Sequence, residues 1–113
     1  MHEMSLAENV REIIEDAGRE QGFARVMSVR LEIGKLSSVE PEAMRFCFDA
    51  AMAGSIAERA RLEIVEMPGQ GCCEDCGRDM QIESLYEACP HCGGYRIRVT
   101  GGDAMRIRDM EVE

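Results

Sequence analysis

The stretch CEDCGRDMQIESLYEACPHCG, residues 73–93, sets the organisation of the chain around it. Two Cys-x-x-Cys pairs, Cys73/Cys76 and Cys89/Cys92, flank a spacer of 12 residues. Cysteines three apart in a tight turn aim both sulfurs at one point, and two such knuckles facing each other enclose a tetrahedron. Zn(II) takes four thiolates in that geometry at about 2.3 Å. Gly77 and Gly93 follow the second cysteine of each pair, where glycine lets the backbone turn its N–H groups toward sulfur. Pro90 stiffens the second knuckle. An all-cysteine site is closed, so the expected metal is structural and does not activate water. So short a segment has little core of its own, and the ion supplies its folding free energy. The same knuckles also suit a single iron, so a one-iron, rubredoxin-like electron carrier stays open on geometry and softness alone. Cys72 offers a shifted register with Cys76; the matching pairs favour Cys73. His91, inside the second knuckle, is expected to be exposed beside the ligands rather than one of them.

Outward from the cysteines the pattern becomes α+β. Residues 5–20 read as an amphipathic helix with Leu6, Val10, Ile13, Ile14 and Ala17 on one face, Ser5 and Glu8 as a capping box and Gly22 as the stop. RVMSVRLEI (25–33) alternates, placing Met27, Val29, Leu31 and Ile33 on one side of a strand. A second helix starts at Pro41 with Met44, Phe48, Ala51 and Met52 inward, Cys47 beside them as a small apolar residue, and Gly54 closing it. RLEIVEM (61–67) is a second strand, and PGQG (68–71) breaks the pattern. Extended segments follow at 95–99 and 104–112; the apolar phase of the latter switches near Asp109, as a bulge would make it do. The final strand must return to the first domain, because a lone strand cannot bury its apolar face. The expected fold is α+β: a small mainly antiparallel sheet with two helices on one face, plus an inserted zinc-ribbon-like domain built on four cysteines. Residues 1–67 and 100–113 form the first domain and residues 68–99 the insert.

A length of 113 residues fits one domain or one domain with a small insert. The net charge of −9 argues against a nucleic-acid partner, which needs a concentrated Lys/Arg surface, and suits cations or a basic protein partner. No apolar run approaches the roughly 20 residues that span a bilayer, and no signal peptide opens the chain, so a cytoplasmic location without membrane contact is expected. Clustered cysteines in that compartment suggest metal before disulfides. The two histidines, His2 and His91, belong to no acid–base or nucleophile set, and there is no phosphate-binding glycine loop. The chain reads as a protein that is not an enzyme.

The N-terminal MHE adds a second chemistry. A terminal amine, an amide nitrogen and the His2 imidazole form fused chelate rings around one ion, and nitrogen donors in a plane suit Ni(II) or Cu(II). By itself this signal is weak, since a histidine at position 2 is usually just a solvated residue. MHEMSL at the start, EIGKLSSVEPEAMRFCFDA (32–50), and CEDCG…CPHCGG followed by GDAMRIRDMEVE (102–113) together resemble the HypA/HybF family of hydrogenase maturation nickel metallochaperones. The resemblance runs the length of the chain. It implies a nickel-binding α+β domain with a zinc domain inserted before the last strand. It implies nickel held at Met1, His2 and Glu3, through the terminal amine, the imidazole and backbone amide nitrogens; some members also use a carboxylate in the loop before the second helix, an aspartate at the position where Glu40 stands here. Zinc would be held by Cys73, Cys76, Cys89 and Cys92, as a structural ion, with nickel as transient cargo. Gly77 and Gly93 stand where some members carry histidines that make the zinc site respond to pH. The implied partners are a HypB-type nickel-handling GTPase and the precursor large subunit of nickel–iron hydrogenase, with urease a further recipient in some organisms and a homodimer among the arrangements. The competing reading is a zinc-ribbon interaction module with no nickel role.

Overall fold

The computed structural model describes residues 3–113. Helix α1 spans Glu3–Gln21, strand β1 Val26–Gly34, helix α2 Pro41–Met52 and strand β2 Arg61–Met67. Four further strands follow: β3 Gly69–Cys73, β4 Asp79–Ile82, β5 Ile97–Gly101 and β6 Met105–Val112. The strands form two sheets, ordered β2-β1-β6 and β4-β3-β5. The chain divides into two units. The first runs through Leu31 and takes in Val39–Val65 and Arg106–Glu113; the second comprises Glu32–Ser38 and Glu66–Met105.

β1 is the central strand of the β2-β1-β6 sheet. The Lys35 N–H bonds Met67 O at 2.9 Å, so β1 and β2 run the same way with α2 as the crossover. Glu113 N–H to Arg25 O and Gly34 N–H to Ala104 O, both 2.9 Å, set β6 antiparallel to β1. One face of this sheet carries the core: Val29 and Leu31 are buried, as are Ile14 of α1 and Met44, Phe48 and Met52 of α2. The other face is polar, with the Arg30 guanidinium on the Asp109 carboxylate and the Ser28 hydroxyl donating to Glu111 at 2.9 Å. The result is an α+β fold with two helices on one face of a small sheet.

The apolar stripe of α1 is rotated from the one its sequence suggests. Ala7, Val10, Ile14 and Gly18 face inward, while Ile13 is 48% exposed. The cause is Gly18: a Cβ there would lie 2.8 Å from Ile56 Cδ1, so the bare Cα admits that side chain and pulls its own helical row into the core. The capping-box expectation is corrected as well. The helix already contains Glu3, which places Ser5 inside the first turn, not at its cap. The Glu3 carboxylate accepts the Glu40 N–H at 3.0 Å, so an acid two residues before Ser5 secures this end. Gly22 closes the helix as expected, at φ 81°, with its N–H on Gly18 O at 2.8 Å.

At the start of β1, Val26 is buried and Met27 lies 43% exposed, the reverse of the expected phase. The Val26 N–H bonds Ile56 O at 3.0 Å, which turns the strand entry so that Val26 points in. The two helices run in the same direction. Arg11 of α1 donates to Ala51 O and Ala53 O at the end of α2 (2.9 and 3.0 Å), while Glu3 meets Glu40 at its start.

In the second unit, the segment expected to be a break is a strand. β3 pairs antiparallel with β4 (Gly71↔Met80, Cys72↔Asp79) and with β5 (Gly71↔Val99, Cys73↔Ile97). Glycine is required on its inner face: a Cβ on Gly71 would lie 2.6 Å from Ile97 Cγ2, and one on Gly69 2.5 Å from Ile82 O. Ile97 and Ile82 fill the space at Gly71, and Leu36 with the Ile82 carbonyl fills it at Gly69. The buried apolar side chains here are few, Ile33 and Ile82 beside Cys73 and Cys89.

Candidate metal centre and the N-terminal segment

The sulfurs of Cys73, Cys76, Cys89 and Cys92 all lie within 4.8 Å of one another. Cys73 Sγ is 3.6 Å from Cys92 Sγ, and Cys76 Sγ is 3.7 Å from Cys89 Sγ. Four thiolates at about 2.3 Å from a tetrahedral ion stand about 3.8 Å apart, so the cage already has the dimensions of a metal–thiolate site.

Both knuckles are built by one hydrogen-bond pattern. Cys73 N–H bonds Arg78 O (2.9 Å) and Gly77 N–H bonds Cys73 O (2.7 Å). Sixteen residues on, Cys89 N–H bonds Gly94 O (2.7 Å) and Gly93 N–H bonds Cys89 O (2.8 Å). Gly77 at φ 78° and Gly93 at φ 77° take the left-handed conformation that closes each turn. The next N–H in each knuckle, that of Arg78 or Gly94, then reaches the second sulfur, Cys76 or Cys92. The His91 N–H donates to Cys89 Sγ at 3.4 Å.

These donors and the crowding of four thiols spread the ionisations. Burial opposes the Cys89 thiolate, but the N–H groups of Cys92 and His91 outweigh it and lower this thiol to about 7. The Gly94 N–H favours the Cys92 thiolate; the neighbouring Cys73 sulfur, burial and the other thiols override it and push Cys92 up to about 12. Four thiolates cannot coexist at this spacing without a central cation, which is the chemistry of a closed structural site.

Cys72 stands outside the cage. It lies on the opposite side of β3, half-buried, with its Sγ 3.9 Å from Cys73 O. Cys47 is buried on the inner face of α2. His91 is exposed, with Nδ1 3.0 Å from the Arg78 guanidinium, so a side chain of one knuckle meets one of the other. A second bridge joins Asp75 to Arg96 at 2.8 Å. Nothing in the sequence pattern singles out Arg78 or Arg96, whose roles exist only once the knuckles face each other.

Of the N-terminal candidates, Met1 and His2 lie outside the described residues. Glu3 and Glu40 come together: Glu40 N–H donates to Glu3 Oε2, and Glu40 Oε1 accepts from Ala43 N–H, both at 3.0 Å. Glu40 is the N-cap of α2, at φ −88° and ψ 119°.

An α+β domain with a zinc-ribbon-like unit and a closed four-cysteine cluster is the class of protein that fold and site define. A family model described as "Hydrogenase/urease nickel incorporation, metallochaperone, hypA" matches residues 1–112. The hydrogenase maturation factor HypA of Albidiferax ferrireducens is 54% identical over 113 residues, covering 100% of both chains. That of Rhodobacter capsulatus is 53% identical over 112 residues, 99% of each. The solution structure of the Ni metallochaperone HypA from Helicobacter pylori shares the fold, with a TM-score of 0.74 over 97% of this chain and 96% of that one at 22% identity. The chain belongs to the HypA family, the nickel-incorporation metallochaperones of hydrogenase maturation. No helix among the described residues is long and apolar enough to cross a membrane.

Proposed function

We propose that this chain carries Ni(II) at its N-terminus and hands it on during maturation of nickel–iron hydrogenase, with urease a further recipient class. The full-length family match carries this reading. The terminal amine of Met1, the imidazole of His2 and the amide nitrogens of His2 and Glu3 supply planar nitrogen donors, which suit Ni(II). Cys73, Cys76, Cys89 and Cys92 hold a structural Zn(II), an assignment supported by sulfur separations that fit a tetrahedral tetrathiolate. The α+β unit is then the cargo domain and the four-cysteine unit a separate, closed zinc domain. The protein acts as a carrier, not a catalyst, in the cytoplasm, and docks onto a HypB-type GTPase and the hydrogenase large-subunit precursor.

The test is a nickel titration of zinc-loaded protein with its native terminus, compared with His2→Ala and with a version carrying extra residues ahead of Met1. The expected result is one nickel bound by the native protein and none by either variant, with zinc content unchanged in all three. Equal nickel binding with and without the extension refutes the terminal-amine site.

A further inference from the structure

We infer that the Glu3 side chain is a positioning residue, which pins the third residue of the nickel-binding tripeptide to the N-terminus of α2 through the Glu40 N–H. The inference rests on the N-terminal nickel site proposed above and assigns a part within it.

In a capping box, the N-cap backbone N–H is satisfied by a Glu or Gln side chain at the third helical residue. With Glu40 as N-cap of α2, that third residue is Ala43, which has no acceptor to offer. Ala43 instead receives the Glu40 carboxylate on its own N–H at 3.0 Å, and Met44 N–H bonds Glu40 O at 2.9 Å. The missing half of the box comes from the other helix: Glu3 Oε2 accepts the Glu40 N–H at 3.0 Å, across 37 residues of sequence. The capping box is therefore split between two helices. Both carboxylates lie at helix N-termini, where the macrodipole favours negative charge.

Two consequences follow for nickel. Glu3 supplies the third residue of the tripeptide, so anchoring its side chain removes conformational freedom from that residue before the ion arrives, and less ordering remains to be done on binding. The Glu40 carboxylate, in turn, serves as the cap of α2, so its role in this arrangement is to hold the receiving N–H in place.

The experiment compares Glu3→Ala with Glu3→Gln in zinc-loaded, native-terminus protein. Both variants remove the charge; only glutamine keeps an oxygen acceptor for the Glu40 N–H. Nickel affinity is measured by titration and the nickel d–d absorption is recorded, while hydrogen exchange of the Glu40 amide reports the anchor with no nickel present. Glu3→Ala is expected to weaken nickel about fivefold, roughly the worth of one hydrogen bond, and Glu3→Gln to recover to within about twofold of wild type. The Glu40 amide should exchange faster in Glu3→Ala and remain protected in Glu3→Gln, with the d–d band unchanged in shape in both. Wild-type nickel affinity and wild-type Glu40 exchange in Glu3→Ala overturn the proposal. So does Glu3→Gln as weak as Glu3→Ala with an altered d–d band, which makes the carboxylate a nickel ligand. If the terminal nickel site itself is wrong, the N-terminally extended protein binds nickel normally, whereas the exchange result still reads the anchor.

Discussion

Gly77→Ala isolates the contribution of one backbone angle to metal binding. Gly77 and Gly93 take φ of 78° and 77°, and a Cβ built on either meets nothing within 4 Å. The substitution therefore adds no clash, only the cost of a left-handed alanine, about 1–2 kcal/mol. The second unit buries few apolar side chains, so its folding and its metal are coupled, and strain in the folded knuckle is paid from metal-binding energy. The cost translates into zinc affinity reduced about 5- to 30-fold. Gly93→Ala should lose the same amount, since its angle and its open surroundings match. Asparagine tolerates the left-handed region better than alanine, so Gly77→Asn should fall between wild type and Gly77→Ala. Gly94→Ala provides a contrast, because a Cβ there runs into the Asp75 carboxylate that pairs with Arg96. Competition against a chelator of known zinc affinity measures all four. Unchanged affinity in Gly77→Ala with only the fold weakened would show that the unit folds without metal and would refute the coupling. Equal losses for asparagine and alanine would refute the argument from the angle.

The remaining predictions concern which thiols bind and when. Cys72→Ser should retain stoichiometric zinc, because that sulfur lies outside the cage, whereas Cys73→Ser should lose tight binding; metal analysis after dialysis separates the two. Zinc should be released on acidification. A zinc ion bound there would hold every thiol as thiolate, so each would behave as a group whose folded pKa lies below its unfolded value. Its stabilisation is complete above the ordinary thiol range near 8.5 and is lost as pH falls. The metal-free cage spans thiols from about 7 for Cys89 to about 12 for Cys92, so affinity should still be climbing above neutral pH; a pH series of chelator competitions checks the slope.

Local chemistry made some elements readable and tertiary packing hid others. Pro41 and Gly54 bracket α2, RLEIVEM alternates as β2 does, and the two Cys-x-x-Cys pairs announce their knuckles, because each signal lies within a few residues of what it specifies. Strand β3 was hidden because GQGCC offers no apolar alternation: two of its inner positions are glycines, filled by Ile97 and Ile82 at Gly71 and by Leu36 at Gly69. Strand β4, Asp79–Ile82, is too short to show a period. The inward row of α1 depends on Ile56 entering at Gly18, and no helical period contains that information. The meeting of Glu3 with Glu40 has only an indirect trace, an N-cap whose third helical residue is alanine.

The pairing of β6 with β1 has a consequence for the order in which the chain can assemble. Arg30 and Asp109 face each other across 79 residues of sequence, so closing this pair directly from an unfolded chain is entropically slow. Within the second unit, however, Gly34 N–H is already bonded to Ala104 O at 2.9 Å. Once that unit has folded, the long closure is reduced to zipping two strands from a common starting point. Until then one edge of β1 is open and available to other chains. During synthesis, zinc supply would set how long that exposed interval lasts, and zinc starvation should show itself first as aggregation of newly made protein.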